Sequence, residues 1–222
     1  MKSKIVSLPE KKIVFPQEDF RKTNEQRLKK ITQEFKQGFE FIAKLKKSVT
    51  FFGSAEISSS DPLYQDARKL AYLLAKKGMT IITGGGPGIM EAANRGASEA
   101  QGESIGLNIE LPEVQRTNPY VKKSIGFHYF FTRKVFFSLA SSYYIFFPGG
   151  YGTLSEFFEM INLIQTKKMQ RPQSVIVYKS SFWQPLMQWL NKTLLANKMI
   201  EKKDIQIIQL TDSVEEIAKM LK

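Results

Sequence analysis

The sequence predicts an α/β protein with a Rossmann-like, doubly wound and mostly parallel sheet that has helices on both faces. Short apolar runs, rich in β-branched and aromatic residues, alternate along the chain with longer segments whose apolar residues recur at helical spacing. Two of these runs lead directly into a glycine cluster and then into a helical segment. In open α/β sheets such turns lie at the carboxyl edge of the strands, where ligands bind.

The alternation continues from residue 49 to the C-terminus. The predicted strands are 49–52, 79–83, 104–109, 125–129, 143–147, 174–178 and 205–209. The predicted helices are 62–77, 89–101, 132–140, 153–166, 182–196 and 214–221. Residues 110–124 are predicted to form a loop, because they are rich in polar groups and include Pro112 and Pro119. With 222 residues and 42% apolar composition, the chain can form one such domain with a sizeable core, which we place at residues 48–222.

Residues 1–47 are expected to form a basic, partly helical N-terminal extension. The chain has a formal net charge of +12, and more than half of this excess lies in the extension. Such a basic arm can attract the phosphates of nucleic acid. Its apolar residues recur at helical spacing, however, at Leu28, Ile31, Phe35, Phe39 and Ile42. We therefore favour a helix that packs on the body with its lysines in water, and we do not expect nucleic acid as a partner.

The composition excludes several classes of protein. The chain has no cysteine and one histidine, which rules out disulfides, thiolate chemistry and metal sites built from cysteines or several histidines. We expect neither a metal nor a cofactor. Residues 135–155 carry no formal charge, but Pro148 and the glycines after it interrupt them, so no membrane span is predicted. The N-terminus has no apolar run of signal-peptide length, and a cytoplasmic protein is expected.

The most informative segment is 148–156, where a predicted strand meets a predicted helix. Its glycines allow backbone N–H groups to approach an anion closely, and the helix N-terminus adds partial positive charge. Thr153 can donate to a phosphate oxygen, while Glu156, one turn further on, is free to act on a sugar or a water. The alternative is a glycine turn followed by a glutamate that only complements the helix dipole.

A second glycine turn, at residues 84–88, also lies between a predicted strand and a predicted helix. It is not a P-loop, because no Gly-Lys-Ser/Thr follows, and it lacks the dinucleotide fingerprint, because Ile89 stands where the third glycine would be. Glu110 lies about where a ribose-binding acid is expected, some 20 residues past the glycines. We favour the simpler interpretation of Glu110 as a solvated carboxylate at a strand end.

The two glycine turns, in this order, carry a family resemblance. The turn at 84–88 is followed by the sequence EAANRGA at residues 91–97, and the turn at 148–156 is preceded by TRK at residues 132–134. With these segments the chain resembles the LONELY GUY family of nucleoside 5'-monophosphate phosphoribohydrolases, whose older label is "possible lysine decarboxylase". The resemblance extends from about residue 31 to the C-terminus, and residues 35–41 are similar to the longer bacterial subgroup.

The resemblance implies roles for particular residues. Arg133 and Glu156 match the family's catalytic arginine and glutamate. The substrate-binding residues that it implies are Gly53, Ser54, Gly84, Gly85, Gly86, Gly88, Met90, Glu91, Lys134, Gly149, Gly150, Gly152 and Thr153. Glu56 departs from the pattern, because many relatives have an arginine after Gly-Ser-Ala, so a positive group near the phosphate is missing here. The resemblance also implies a homodimer or a higher homo-oligomer.

The implied reaction is hydrolysis of the N-glycosidic bond of a purine-type nucleoside 5'-monophosphate, such as AMP or a cytokinin riboside monophosphate, to free base and ribose 5-phosphate. Its transition state has oxocarbenium character, which the Glu156 carboxylate can stabilise while it positions or deprotonates a water. Arg133 stays protonated, so its expected tasks are to hold the phosphate or sugar and to balance that carboxylate. His128, in an aromatic run, is interpreted as a packed residue and not as a catalyst.

Three other classes of function remain open. A non-catalytic nucleotide or cofactor carrier would need both glycine turns but would not need Glu156. A nucleic-acid-binding protein would depend on the basic extension. A pyridoxal-phosphate decarboxylase, which the family's older label suggests, would need a Schiff-base lysine, and no motif distinguishes one among the many lysines.

Overall fold

The computed structural model describes residues 23–45, 47–110, 117–169 and 174–221. Within these residues, seven strands form one sheet in which all neighbouring strands are parallel. The strands are β1 (Ser48–Phe52), β2 (Thr80–Thr83), β3 (Ser104–Ile109), β4 (Lys123–Phe127), β5 (Tyr143–Phe146), β6 (Ser174–Tyr178) and β7 (Ile208–Thr211). The helices are α1 (Asn24–Ile42), α2 (Pro62–Lys76), α3 (Ile89–Glu99), α4 (Phe130–Ala140), α5 (Tyr151–Gln165), α6 (Ser180–Trp189), α7 (Lys202–Ile205) and α8 (Val214–Met220), with a π-helical segment at Leu190–Leu195. The predicted α/β fold is confirmed.

The order of the strands in the sheet is β4-β3-β2-β1-β5-β6-β7. The chain builds the sheet outward from β1 to β4, returns to the other side of β1, and continues outward from β5 to β7. Val49 of β1 is in register with Ile81 of β2 on one side and with Tyr143 of β5 on the other. This reversal is the doubly wound arrangement that the sequence predicts, and it leaves a crevice at the carboxyl ends of β1 and β5.

Helices cover both faces of the sheet, as predicted. On one face, α2, α3 and α8 bury apolar residues against Val49 and Phe51 of the central strand. On the other face, α4, α5 and α6 pack against Phe52 in a cluster rich in aromatic residues. Because successive strand residues point to opposite faces, a strand that is covered on both sides reads in the sequence as a continuous apolar run.

Helix α1 belongs to the predicted N-terminal extension and packs on the α4 side of the sheet. Phe35 and Phe39 contact Phe136 of α4, with ring centroids 5.6 and 5.3 Å apart. The packing predicted for this segment is therefore observed in part, because Leu28 is 63% exposed and Phe39 is 49% exposed. Residues 1–22, which carry part of the basic charge, lie outside the described residues.

Two predicted strands are displaced along the chain. Strand β4 covers Lys123–Phe127 and not 125–129, because Tyr129 already forms the N-cap of α4. Strand β7 covers Ile208–Thr211 and not 205–209, because a capping box between Glu201 and Asp204 starts α7, which includes residue 205. In both places the residues at the end of a helix are as apolar as those of the neighbouring strand, so the sequence does not show where the strand begins or ends.

The remaining differences concern the ends of elements. The predicted helix 182–196 begins at Ser180 and changes to a π-helical segment after Trp189. The predicted loop 110–124 ends where β4 begins, and its residues 111–116 lie outside the described residues. Among the parts of the chain that the structure describes, no helix is long and apolar enough to cross a membrane.

Candidate functional site

A pocket of about 300 Å³ opens at the carboxyl edge of the sheet, between the segments that follow β1 and β5. These two strands are the neighbours at which the strand order reverses, and ligands bind at this position in open α/β sheets. The pocket is lined by Phe51, Phe52, Gly53, Ser54, Ala55, Glu56, Gly84, Met90, Arg133, Phe137, Gly150, Gly152, Thr153 and Glu156. Residues from four separate segments of the chain therefore meet at one place.

The glycine turn after β5 forms one wall of this pocket. Helix α5 begins at Tyr151, and its N-cap residue is Gly150, which has no side chain to occupy the first backbone N–H groups. Gly152 and Thr153 also line the pocket. The N-terminus of a helix attracts anions because its free N–H groups carry partial positive charge. The turn therefore provides a place for a phosphate.

The loop after β1 is held against both glycine turns. The backbone N–H of Ser54 donates to the carbonyl of Pro148 at 3.0 Å, and the carbonyl of Ser54 accepts from the N–H of Ile89 at 3.0 Å. Gly88 has a φ of 66°, and a Cβ at this position would overlap the backbone of Ser54 and Ala55. Gly88 thus permits close approach of two loops and does not itself line the pocket.

Two buried asparagines fix the turn at residues 84–88. Asn118 donates its backbone N–H to the carbonyl of Gly85 and its side-chain amide to the carbonyl of Gly86, each at 2.9 Å. The same amide donates to Asn94 of α3 at 2.9 Å, and Asn94 accepts from Thr83 at 2.6 Å. No sequence pattern indicates this role, because Asn118 lies in a polar predicted loop where one more asparagine is unremarkable.

Arg133 reaches the pocket from the first turn of α4. Its Nε donates to the carbonyl of Leu107 at 2.7 Å, and its guanidinium lies 4.8 Å from the centre of the Phe137 ring. A Cβ at Gly84 would overlap the guanidinium, so that glycine makes room for it. Burial lowers the pKa of Arg133, and the negative charge of Glu156 partly offsets this change. An arginine nevertheless stays protonated near neutral pH.

Glu156 projects into the pocket from the second turn of α5. Burial raises the pKa of its carboxyl to about 7, although Arg133 and Lys134 lower it, and Glu159 adds a smaller upward effect. The side chain is half-buried, because one side faces the pocket while protein surrounds the others. A carboxyl that titrates near neutral pH can exchange protons with a substrate or a water.

The structure brings together most, but not all, of the residues that the resemblance implies. The pocket is lined by Gly53, Ser54, Gly84, Met90, Arg133, Gly150, Gly152, Thr153 and Glu156 from that set. Outside its lining lie Gly85, Gly86, Gly88, Glu91, Lys134 and Gly149. The first three shape the turn, as described above. Phe51, Phe52 and Phe137 also line the pocket, although their side chains are buried in the core. This was not foreseen, because in the sequence they are ordinary core residues of β1 and α4.

The two charged residues outside the pocket have partners of their own. Glu91 accepts a hydrogen bond from the hydroxyl of Tyr64 at 2.9 Å. Lys134 donates to Ser155 and forms an ion pair with Glu159, each at 2.8 Å. Lys134 therefore supports the start of α5 and affects Glu156 only through its charge.

His128 and Glu110 lie together outside this pocket. The Nδ1 atom of His128 is 3.5 Å from a carboxylate oxygen of Glu110, which is exposed, and the imidazole is half-buried. Neither residue lines the pocket, and the exposure of Glu110 agrees with its interpretation as a solvated carboxylate at a strand end.

Comparison with known proteins identifies a family and a fold. The family described as "Possible lysine decarboxylase" matches residues 90–221, more than half of the chain. No curated protein matches the chain.

Several solved structures share the fold. The molybdenum cofactor binding protein of Rippkaea orientalis has a TM-score of 0.60 and 23% sequence identity, over 80% of this chain and 96% of that one. The molybdenum cofactor carrier protein of Chlamydomonas reinhardtii has a TM-score of 0.57 and 20% identity, over 79% and 98%. DNA processing protein A of Streptococcus pneumoniae has a TM-score of 0.55 and 14% identity, over 82% and 63%. At these identities the likeness shows the fold alone.

Proposed function

The chain belongs to the family described as "Possible lysine decarboxylase", the LONELY GUY family, and from this premise we propose that it hydrolyses the N-glycosidic bond of purine-type nucleoside 5'-monophosphates. The products are free base and ribose 5-phosphate, and AMP and cytokinin riboside monophosphates are the candidate substrates. One observation carries the proposal: a buried arginine and a carboxyl of pKa about 7 meet in one pocket beside the N-terminus of α5.

In the proposed reaction each group has a distinct task. The phosphate binds at the start of α5, where Gly152 and Thr153 line the pocket, and Arg133 holds the phosphate or the sugar. A water forms the new bond to the anomeric carbon while the bond from that carbon to the base nitrogen breaks. The ionised Glu156 accepts a proton from the water and stabilises the positive charge that develops on the sugar. The departing base takes up a proton at its nitrogen from a solvent water, and Glu156 then returns its own proton to solvent.

A lysine decarboxylase does not fit the lining of this pocket. Pyridoxal-phosphate enzymes need a lysine that forms a Schiff base with the cofactor. Among the residues that the structure describes, no lysine lines the pocket, and Lys134, which lies nearby, is paired with Glu159. Pyridoxal phosphate is therefore not part of the proposed reaction.

A carrier of a nucleotide or cofactor is the second candidate. Two proteins that share the fold are named as molybdenum cofactor binding and carrier proteins. A carrier needs the glycine turns and the pocket, but it gains nothing from a carboxyl whose pKa lies near 7 beside a buried arginine. The Arg133–Glu156 pair favours the hydrolase.

The first expected result concerns the phosphate of the substrate. AMP is cleaved, while adenosine is cleaved at least ~10²-fold more slowly, because only AMP can place an anion at the start of α5 and so be oriented for reaction. The measurement is chromatographic release of adenine from the two compounds at equal concentration. Equal turnover of AMP and adenosine would show that the start of α5 does not act as a phosphate subsite.

The pH dependence of turnover tests the role of Glu156. The proposed base must be ionised, and its pKa in the folded protein is raised to about 7. We therefore expect kcat/KM for AMP to increase about tenfold per pH unit below that value and to level off above it. A profile that is flat between pH 5.5 and 8.5 would contradict this role.

We further propose that the protein is a homodimer or a higher homo-oligomer. Beside the pocket, Phe130 and Phe131 at the start of α4, with Phe158 of α5, are 58%, 49% and 39% exposed, and Tyr151 is 94% exposed. A second copy that covers these side chains would remove apolar surface from water. The expected result is a dimeric or larger mass by light scattering at micromolar concentration, and a monomeric mass would count against it.

A further inference from the structure

Helix α1 places a carboxylate inside the protein. Glu34 is only 2% exposed, whereas Glu40 on the same helix is exposed. A buried carboxylate is costly unless hydrogen bonds or opposite charges compensate for the water that it loses. Its partners therefore indicate why the fold keeps it there.

The partners of Glu34 lie at the start of α4. One carboxylate oxygen accepts from the backbone N–H of His128 at 2.7 Å, and the other accepts from the hydroxyl of Thr132. Tyr129, the N-cap residue of α4, is not a type that caps helices with its side chain. Glu34 thus supplies, from another helix, the negative acceptor that a helix N-terminus favours.

The turn that Glu34 holds also carries Arg133. The backbone N–H of Arg133 donates to the carbonyl of Tyr129 at 3.2 Å, and its side chain extends to Leu107. The guanidinium has little freedom, because Phe137 and Gly84 enclose it. A rotation of this first turn would therefore displace the guanidinium from its contacts.

The packing of α1 fixes the position of Glu34 in turn. Gly38, one turn after Glu34, is buried, and a Cβ there would overlap the ring of Phe136. Phe35 and Phe39, on either side of it, contact the same ring. Glu34 is therefore held by a tight contact between two helices and not by a mobile arm.

We propose that Glu34 is a positioning residue, which holds the first turn of α4 so that the Arg133 guanidinium stays in the pocket. The Nζ atom of Lys30, a partly exposed residue, lies 3.7 Å from a carboxylate oxygen of Glu34. It adds a nearby positive charge but does not replace the hydrogen bonds of the carboxylate. The consequence for turnover rests on the proposed function, but the positioning of Arg133 does not. The N-terminal extension is in this way part of the site.

The direct test follows the Nε–H of Arg133 by NMR in the protein without ligand. In wild type this proton is expected to exchange slowly with water, because it is buried and bound to the carbonyl of Leu107. Glu34→Ala should accelerate its exchange at least ~10-fold, and Glu34→Gln, which retains one acceptor oxygen, should lie in between. The matched control is Glu40→Ala on the exposed side of α1, which should leave the exchange unchanged.

Unchanged exchange of the Arg133 proton in both Glu34 variants would overturn the proposal. If Glu34→Ala does not fold, the comparison of Glu34→Gln with Glu40→Gln decides the matter in the same way, with an expected acceleration of at least ~3-fold.

A kinetic cycle separates positioning from a general loss of stability. Glu34→Ala should lower kcat/KM for AMP at least ~10-fold in wild type but less than ~2-fold in an Arg133→Ala background, because the effect passes through Arg133. Equal reductions in both backgrounds would show a merely structural role and overturn the proposal. If AMP is never cleaved although exchange responds as expected, the proposed function fails and the positioning role stands.

Discussion

Glu156→Gln is expected to lower turnover of AMP by at least ~10²-fold while leaving the affinity for AMP within about threefold of wild type. The substitution keeps the shape of the side chain and removes its charge, so the phosphate contacts at the start of α5 remain. In the proposed mechanism the variant loses a general base, together with the negative charge that would stabilise the transition state. Turnover and the dissociation constant are measured separately, by product release and by calorimetry.

The matched control for this variant is Glu159→Gln, one turn further along α5. Glu159 is paired with Lys134 and does not line the pocket. The turnover of Glu159→Gln, measured on the high-pH plateau of its pH profile, should therefore remain within ~3-fold of wild type. Near-normal turnover in Glu156→Gln would mean that this carboxylate only complements the helix dipole.

Raising the pH through the pKa of Glu156 should lower the stability of the folded protein, although it should increase turnover. The pKa of Glu156 is raised to about 7 in the folded protein, above the value of about 4.3 for an unfolded chain. The unfolded state therefore holds fewer protons between these values, and the contribution of this group to stability is lost as pH rises through that window. Glu156→Gln lacks this loss and should melt at a higher temperature than wild type at pH 8 but not at pH 4.

Arg133→Ala is expected to weaken AMP binding at least ~10-fold and to lower turnover as well, because in the proposed mechanism the guanidinium contacts the ligand in both the bound and the transition state. Removing the cation also deletes an effect that lowers the pKa of Glu156, so the pH profile should move to higher pH. The measurements are the dissociation constant and a pH–rate profile of the variant.

Two further variants make this result specific. Arg133→Lys keeps the positive charge but loses the planar guanidinium with its several N–H donors. Its AMP affinity and turnover should lie between those of wild type and Arg133→Ala. Arg95→Ala removes an arginine that is paired with Glu99 on the surface of α3, and it should change neither binding nor turnover by more than ~2-fold. Unaltered AMP affinity in Arg133→Ala would show that the guanidinium has no part in binding.

The sequence predicts the fold well because its strands are covered on both faces and so appear as continuous apolar runs. It also predicts the meeting of Arg133 and Glu156, but only through the family resemblance. Spacing alone cannot place two residues 23 positions apart on facing helices. The errors fall where a helix end is as apolar as a strand, as at residues 205–209.

Other parts of the site depend on contacts between distant segments. Asn118 holds the glycine turn at residues 84–88 through backbone carbonyls, and no residue pattern reports such a contact. Glu34 appears in the sequence as one acid among the lysines of an amphipathic helix. Only its burial against α4 distinguishes it from Glu40.

Product analysis after incubation with AMP decides whether the protein is a hydrolase. With protein in excess over AMP, so that a single turnover suffices, we expect adenine and ribose 5-phosphate in equal amounts, and no such products from Glu156→Gln over the same time. Recovery of intact AMP from wild-type protein that has demonstrably bound it would contradict the hydrolase and leave the carrier in its place.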